Sequence, residues 1–289
     1  MNTEVIESIN GIRGDRVHGA GWLSRKAINT LSLAISKSQC DSIADFLDEV
    51  RAIAAELMNA RPSMISIANY IDQFLNSIVR KSRSERELSS LKSFAQIESE
   101  KLIKLSSEAS LKVAVYGSEI IKDMDVIITC SYSSTVCEVF KLANWKGAKF
   151  QVIAAESRFK GRAFGEITKE HLDQHQVSVE IIPDDDIDLH MSRAKVAVVG
   201  ADSILTYGSL INGVPTYKLA RAASETKVAF YTLCETAKFD VKGYMTEGAT
   251  EPGFDETPFS LVTGIITERG IMEPSRVLAH IEKMRHIPP

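Results

Sequence analysis

Lys195–Gly213 reads KVAVVGADSILTYGSLING. Val196, Ala197, Val198 and Val199 form a short, unbroken apolar run that enters a turn of small residues, Gly200 and Ala201, and then an acid, Asp202. A run of that kind is what a strand covered on both faces presents, and such strands belong to parallel sheets. Similar β-rich runs occur at Val113–Tyr116, Val126–Thr129, Phe150–Ala154, Val177–Ile182 and Val228–Leu233. Helical patterns at Ser134–Ala143, Ile167–His175 and Thr216–Ser224 alternate with several of them. Strands alternating with helices predict right-handed crossovers and a mostly parallel, doubly wound α/β sheet.

Upstream of residue 110 the pattern is helical. Ile43, Phe46, Leu47, Val50, Ile53, Ala54 and Leu57 lie on one helical face, with Asp41 or Ser42 as N-cap and Arg61-Pro62 as the stop. A second stripe runs from Ile67 to Ile78, and a longer helix is expected to start near Ser84, where Ser84 and Glu87 fit a capping box. The domains expected are therefore 1–110, helical, and 111–289, α/β. With 289 residues, 44% of them hydrophobic and 25% charged, the chain is long enough for two globular domains. Its net charge of −4 argues against a nucleic-acid-coating surface. No apolar stretch is long enough to span a membrane, and no secretory leader is evident at the N-terminus. The four cysteines and six histidines are scattered without metal-ligand spacing, so neither a disulfide framework nor a metal or cofactor is expected. A cytoplasmic protein is the expectation.

Ligands of doubly wound sheets bind beyond the carboxyl ends of the strands. That rule selects Thr129–Ser134, Glu156–Arg162, Gly200–Asp202 and Glu235–Lys238. The absence of GxGxxG and GxxxxGK[ST] argues against standard dinucleotide and P-loop sites. Asp202 at a strand end is suited to general acid–base work if burial raises its pKa, although an aspartate there also serves simply as a turn or cap. Asn212 can orient a hydroxyl or satisfy a loop. Ser133 or Ser134, in a hydroxyl-rich turn ahead of a helix, suits N-capping, and Ser133 suits phosphate binding as well. Cys130 and Ser131 are candidate reactive groups, and a buried cysteine is otherwise plain packing. His18-Gly19-Ala20-Gly21 opens a helix with glycines that admit close phosphate approach. Arg61, Arg158, Lys160 and Lys238 are candidate anion ligands, each otherwise a solvated surface charge, while Asp184–Asp186 reads as a solvated cap more than a metal site.

Five motifs in order, VIITCSYSSTV, AAESRFKGR, VVGADSILTYGSLING, CETAKFD and EPGFDETPFSLVTGIITERG, resemble the superfamily of translation initiation factor 2B subunits. That superfamily also holds methylthioribose-1-phosphate and ribose-1,5-bisphosphate isomerases. The resemblance implies an N-terminal helical domain, a Rossmann-like C-terminal domain and a homodimer formed through the latter. It places Asp202 on the isomerases' catalytic aspartate, Asn212 on a motif asparagine, and Arg61 and Lys238 on substrate contacts. His18, Gly19, Ala20 and Gly21 fall on an RGAG loop, with histidine replacing its arginine. Gly213 replaces a lysine, and the isomerases' catalytic cysteine falls on Ser131, with Cys130 one place before it.

Two functions follow from this pattern. The first is an aldose–ketose isomerase acting on a phosphorylated pentose such as ribose 1,5-bisphosphate, with Asp202 shuttling a proton between oxygens and Cys130 or Ser131 taking one from carbon. The second is a non-catalytic regulatory subunit that senses a sugar phosphate or nucleotide, with an initiation factor as possible partner. Neither requires direct contact with nucleic acid or membrane. A retained aspartate favours the first; the lost cysteine favours the second, because an unassisted serine hydroxyl cannot abstract a carbon-bound proton.

Overall fold

The computed structural model describes residues 1–248 and 250–286, and it divides into two compact units, residues 1–108 and the residues from Ala109 onward. The N-terminal unit holds α1 (Thr3–Gly14), α2 (Ala20–Lys37), α3 (Ile43–Ala60), α4 (Ile65–Ser82) and the first part of α5 (Leu88–Glu119). Within it α4 packs against α2 and α3, and α1 against the same two helices. The stripe expected on α3 is buried through Phe46, Val50, Ile53, Ala54 and Leu57. Ser42 caps that helix by accepting the Asp45 N–H, and the helix stops at Ala60, two residues ahead of Pro62. Helix α1 was not among the expected elements. Its buried stripe is only Val5, Ile9 and Ile12, too short to stand out from sequence alone.

Two expectations about α5 fail for local reasons. Ser84 does not form a capping box: its hydroxyl donates back to the Lys81 carbonyl, and the Glu85 carboxylate instead accepts the N–H groups of Arg86 and Glu87. Those bonds, with one from Ser90, hold Glu85 down to about 2. Val113–Tyr116 is not a strand. It continues α5, whose buried face runs through Leu91, Ala95, Leu102 and Val113. Buried Ser99 and Ser106 interrupt the apolar signal on that face and hide its period.

The second unit follows as β1 (Val126–Thr129), α6 (Ser134–Trp145), β2 (Gln151–Ala155), the hairpin β3 (Arg158–Phe159) and β4 (Arg162–Ala163), α7 (Phe164–Asp173), β5 (Ser178–Ile182), α8 (Ile187–Met191) and β6 (Val196–Gly200). Next come β7 (Ser203–Ile204), β8 (Ser209–Gly213), α9 (Thr216–Thr226), β9 (Ala229–Leu233), β10 (Phe254–Pro258), β11 (Gly264–Thr267), β12 (Gly270–Met272) and α10 (Pro274–Arg285). Seven strands form one sheet in the order β12-β11-β9-β6-β1-β2-β5, parallel except for β12 at its edge. Alternate residues feed opposite faces: Ile128, Ile153, Ala197 and Val199 enter one core, and Ile127, Val152, Ala154, Val196 and Val198 the other. This is the mostly parallel, doubly wound α/β architecture the strand pattern predicts.

From β1 the chain steps outward through β2 to β5, then crosses back to β6 and proceeds the other way. The β1/β6 boundary is thus the topological switch point, where such sheets open a crevice. A small antiparallel sheet, β10-β8-β7, follows directly from the β6 end. The apolar residues between Phe254 and Ile266 pack within this unit: Phe259, Val262 and Ile265 join one core and Ile266 the other, while Phe254 pairs with Gly213 in β10–β8. Residues 287–289 of the expected second domain lie outside the described residues. Among the described residues, no helix is long and apolar enough to cross a membrane.

Candidate functional site

At the end of β1 the backbone turns sharply through Ser131, which takes a left-handed conformation with φ of 61°. A residue with a Cβ pays roughly 1–2 kcal/mol to adopt it. Both peptide groups of Ser131 are held: its N–H donates to Ser157 Oγ at 2.6 Å, and its carbonyl accepts from Thr168 Oγ1 at 3.2 Å. Ser157, itself left-handed at the end of β2, donates its own N–H to Asp184 at 2.7 Å. Asp184 therefore serves as a loop anchor, and Asp185 pairs with Lys218. Among the described residues there is no group of three or more His, Cys, Asp or Glu side chains placed to hold a metal.

Cys130 points the other way. It is only 2% exposed, and its Sγ lies 3.4 Å from Thr216 Oγ1. Burial pushes its thiol up to about 12, so it stays protonated at neutral pH. Thr216, at the start of α9, also accepts from Asn212 Nδ2 at 2.9 Å and donates to the Gly213 carbonyl at 2.6 Å. One hydroxyl thus ties Cys130, Asn212 and Gly213 together.

Close approach at the switch point depends on Gly200. A Cβ there would lie 2.5 Å from Ser133 Oγ and 3.7 Å from Asn212 Oδ1. Ser133 caps α6 by accepting the Val136 N–H, so the end of β6 sits directly against that helix start. Asp202 follows in the link to β7, its N–H donating to the Ile211 carbonyl at 2.8 Å. In the same unit, Lys238 and Glu235 form an ion pair of 3.3 Å with side chains 4% and 5% exposed. Burial alone would lower Lys238, but the charge of Glu235, with Asp202 adding to it, outweighs this and holds its ammonium above the ordinary value. Glu235 is likewise raised by burial and brought below its ordinary value by Lys238.

The remaining candidates lie in the N-terminal unit. Gly19 is the N-cap of α2, with Ala20 and Gly21 in its first turn and no side chain closing the helix end. Asp15 organises the loop before it. Its carboxylate accepts the N–H groups of Val17 and His18 and the His18 ring at 2.8 Å, and its carbonyl accepts Arg61 Nη1 at 2.6 Å. Burial raises the Asp15 carboxyl, and the His18 and Val17 bonds more than offset this, leaving it below the ordinary range. Arg61 is 4% exposed, and the His18 ring stacks on Trp22 at 3.8 Å. A buried guanidinium and an open helix start are features that attract an anion.

The structure thus gathers Cys130, Ser131, Ser133 and Asn212 at the switch point and couples Lys238 electrostatically to Asp202; in the N-terminal unit it brings Arg61, at the end of α3, against the loop that leads into His18, Gly19, Ala20 and Gly21. Sequence reasoning did not single out Ser157, Thr168, Thr216 or Glu235. Ser157 and Glu235 stood in stretches already selected as strand ends; Thr168 and Thr216 are ordinary helix residues whose roles come only from tertiary proximity.

A translation initiation factor eIF-2B subunit 2-like protein of Pyrococcus furiosus is 31% identical over 288 residues, covering 94% of this chain and 98% of that one. A ribose 1,5-bisphosphate isomerase of Archaeoglobus fulgidus is 30% identical over 293 residues, covering 94% and 90%. The solved structure of translation initiation factor eIF-2B from Pyrococcus horikoshii OT3 superposes with a TM-score of 0.83 at 28% identity, covering 96% of this chain and 100% of that one. With residues 16–249 matching its pattern as well, the chain belongs to the initiation factor 2 subunit family.

Proposed function

We propose that this protein binds a phosphorylated pentose and does not turn it over by the thiol route available to the isomerases it resembles. The observation that carries this is the fate of Cys130: the only cysteine in the β1 turn is sealed in the core with its thiol pushed up to about 12. Its half-buried neighbour is Ser131, whose hydroxyl is far too weak a base to take a proton from carbon. Groups suited to holding a sugar phosphate remain. In the second unit, Asn212 and Ser131 offer neutral hydrogen bonds and Asp202 accepts from sugar hydroxyls; in the N-terminal unit, Arg61 and the Gly19–Gly21 loop make a separate anion-attracting feature. A protein of this kind acts as a sensor or regulatory subunit, with an initiation factor as its candidate partner.

A second reading, aldose–ketose isomerisation, is favoured by one observation: Asp202 acts on the buried Lys238–Glu235 pair, an environment able to tune a proton-transferring carboxylate. One pair of assays separates the two. Thermal unfolding with ribose 1,5-bisphosphate, ribose 5-phosphate and AMP is expected to show stabilisation by a sugar phosphate, about 2.7 kcal/mol at a hundred times the dissociation constant. Incubation with ribose 1,5-bisphosphate is expected to yield no ketose. Ketose formation that falls ~10²–10⁴-fold in Asp202→Asn establishes the isomerase instead.

A further inference from the structure

Gly213 has no positive φ to explain it, yet it cannot carry a side chain as the site stands. A Cβ built on it would lie 2.3 Å from Ser131 Oγ and 3.2 Å from Ser131 Cβ. Rotation about χ1 can carry the Ser131 hydroxyl off, but its Cβ, which the backbone sets, stays at 3.2 Å. The Ser131 backbone is fixed on one side by Ser157 Oγ and on the other by Thr168 Oγ1, and both of those side chains are buried. Ser157 Oγ accepts from Ser131 N–H while it donates to the Ala155 carbonyl, so its hydroxyl is committed to the end of β2. Ser157 thereby joins the ends of β1 and β2, while Thr168 shares its hydroxyl between the Ser131 carbonyl and the Phe164 carbonyl of its own helix. Strain maintained from several directions at once is characteristic of functional positions.

We propose that Ser131 and Gly213 form one specificity-determining pair. Gly213 leaves a notch in β8, and the Ser131 hydroxyl lodges in it, where it meets a neutral hydroxyl of the bound sugar phosphate. Ser157 and Thr168 are the positioning residues that keep it there. This rests on the sugar-phosphate reading above and adds to it the group that selects the ligand: a small, uncharged hydrogen-bonding partner beside Asn212, at the point where a longer or charged side chain on β8 is sterically excluded.

The test is a double-mutant cycle read in two ways. In equilibrium unfolding, Gly213→Ala lowers the melting temperature, Ser131→Gly leaves it unchanged or raises it by removing the left-handed strain, and the double variant recovers most of the Gly213→Ala loss. Equal losses from Gly213→Ala in the presence and absence of the Ser131 side chain overturn the coupling. In calorimetric titration with ribose 1,5-bisphosphate, Ser131→Gly and Ser157→Ala each weaken binding about tenfold, the order expected for one hydrogen bond. Wild-type binding that both variants retain in full overturns the recognition role alone. Absence of binding by the wild type overturns the sugar-phosphate reading and the recognition role with it, while the unfolding cycle still decides whether the pair is coupled.

Discussion

Cys130 and Ser131 are neighbours in sequence with opposite surroundings. One side chain enters the core beside Thr216; the other stays half-buried against Gly213. The thiolate is the reactive form of cysteine, and burial has moved Cys130 far from forming it. Iodoacetamide at pH 7.5 is accordingly expected to label Cys40, which is partly exposed, while Cys130, Cys137 and Cys234 stay unlabelled until the protein is unfolded. Peptide mass spectrometry checks this, and rapid native labelling of Cys130 contradicts the assignment. The Lys238–Glu235 pair makes a second claim at this scale. Lys238→Met leaves a carboxylate buried without its cation and should cost roughly 3–5 kcal/mol in urea unfolding, more than Glu235 and Lys238 replaced together. The pair also sets a pH window. Glu235 titrates below its ordinary 4.5 in the fold, so its contribution is present above that value and lost as pH falls through the lower folded value. Lys238 titrates above its ordinary 10.5, so its contribution is complete below that value and lost as pH rises through the higher one. Stability of the doubly substituted protein should vary less at both extremes.

Elements meet at the switch point through glycine. The end of β6 reaches the Ser133 cap of α6 because Gly200 has no Cβ, so Gly200→Ala forces strand and helix apart. A loss of roughly 1–3 kcal/mol is expected from this overpacking. Ser133→Gly, a substitution at an N-cap costing only a few tenths of a kcal/mol, should relieve most of it in the double variant. Unfolding curves showing simple additivity would contradict the contact. Much of this level was readable in advance. The unbroken Val196–Val199 run and the helices between strands announce a parallel sheet, and the strand-end rule then selects the turns at Cys130, Glu156, Asp202 and Lys238. What stayed hidden has physical causes. Serines on the buried face of α5 break its period, a three-residue stripe conceals α1, and the support given by Ser157, Thr168 and Thr216 exists only once strands 20 or more residues apart are paired. The pairing of β8 with β10 likewise joins Gly213 to Phe254 across about 40 residues of chain.

For the whole molecule, the apolar stretch at Phe254–Ile266 is no argument for association, since its own sheets and cores cover most of it. A homodimer through the C-terminal unit remains a proposal drawn from the resemblance to initiation factor 2B subunits. Light scattering at micromolar concentration is expected to give twice the 31.9 kDa of one chain, and a concentration-independent mass of one chain contradicts it. Ligand binding without turnover is checked by phosphorus NMR of ribose 1,5-bisphosphate mixed with the protein at comparable concentration. The two phosphate resonances are expected to shift or broaden on mixing, and the spectrum to remain that of the aldose after prolonged incubation. Resonances of ribulose 1,5-bisphosphate growing with time, or a spectrum the protein leaves untouched, would contradict it.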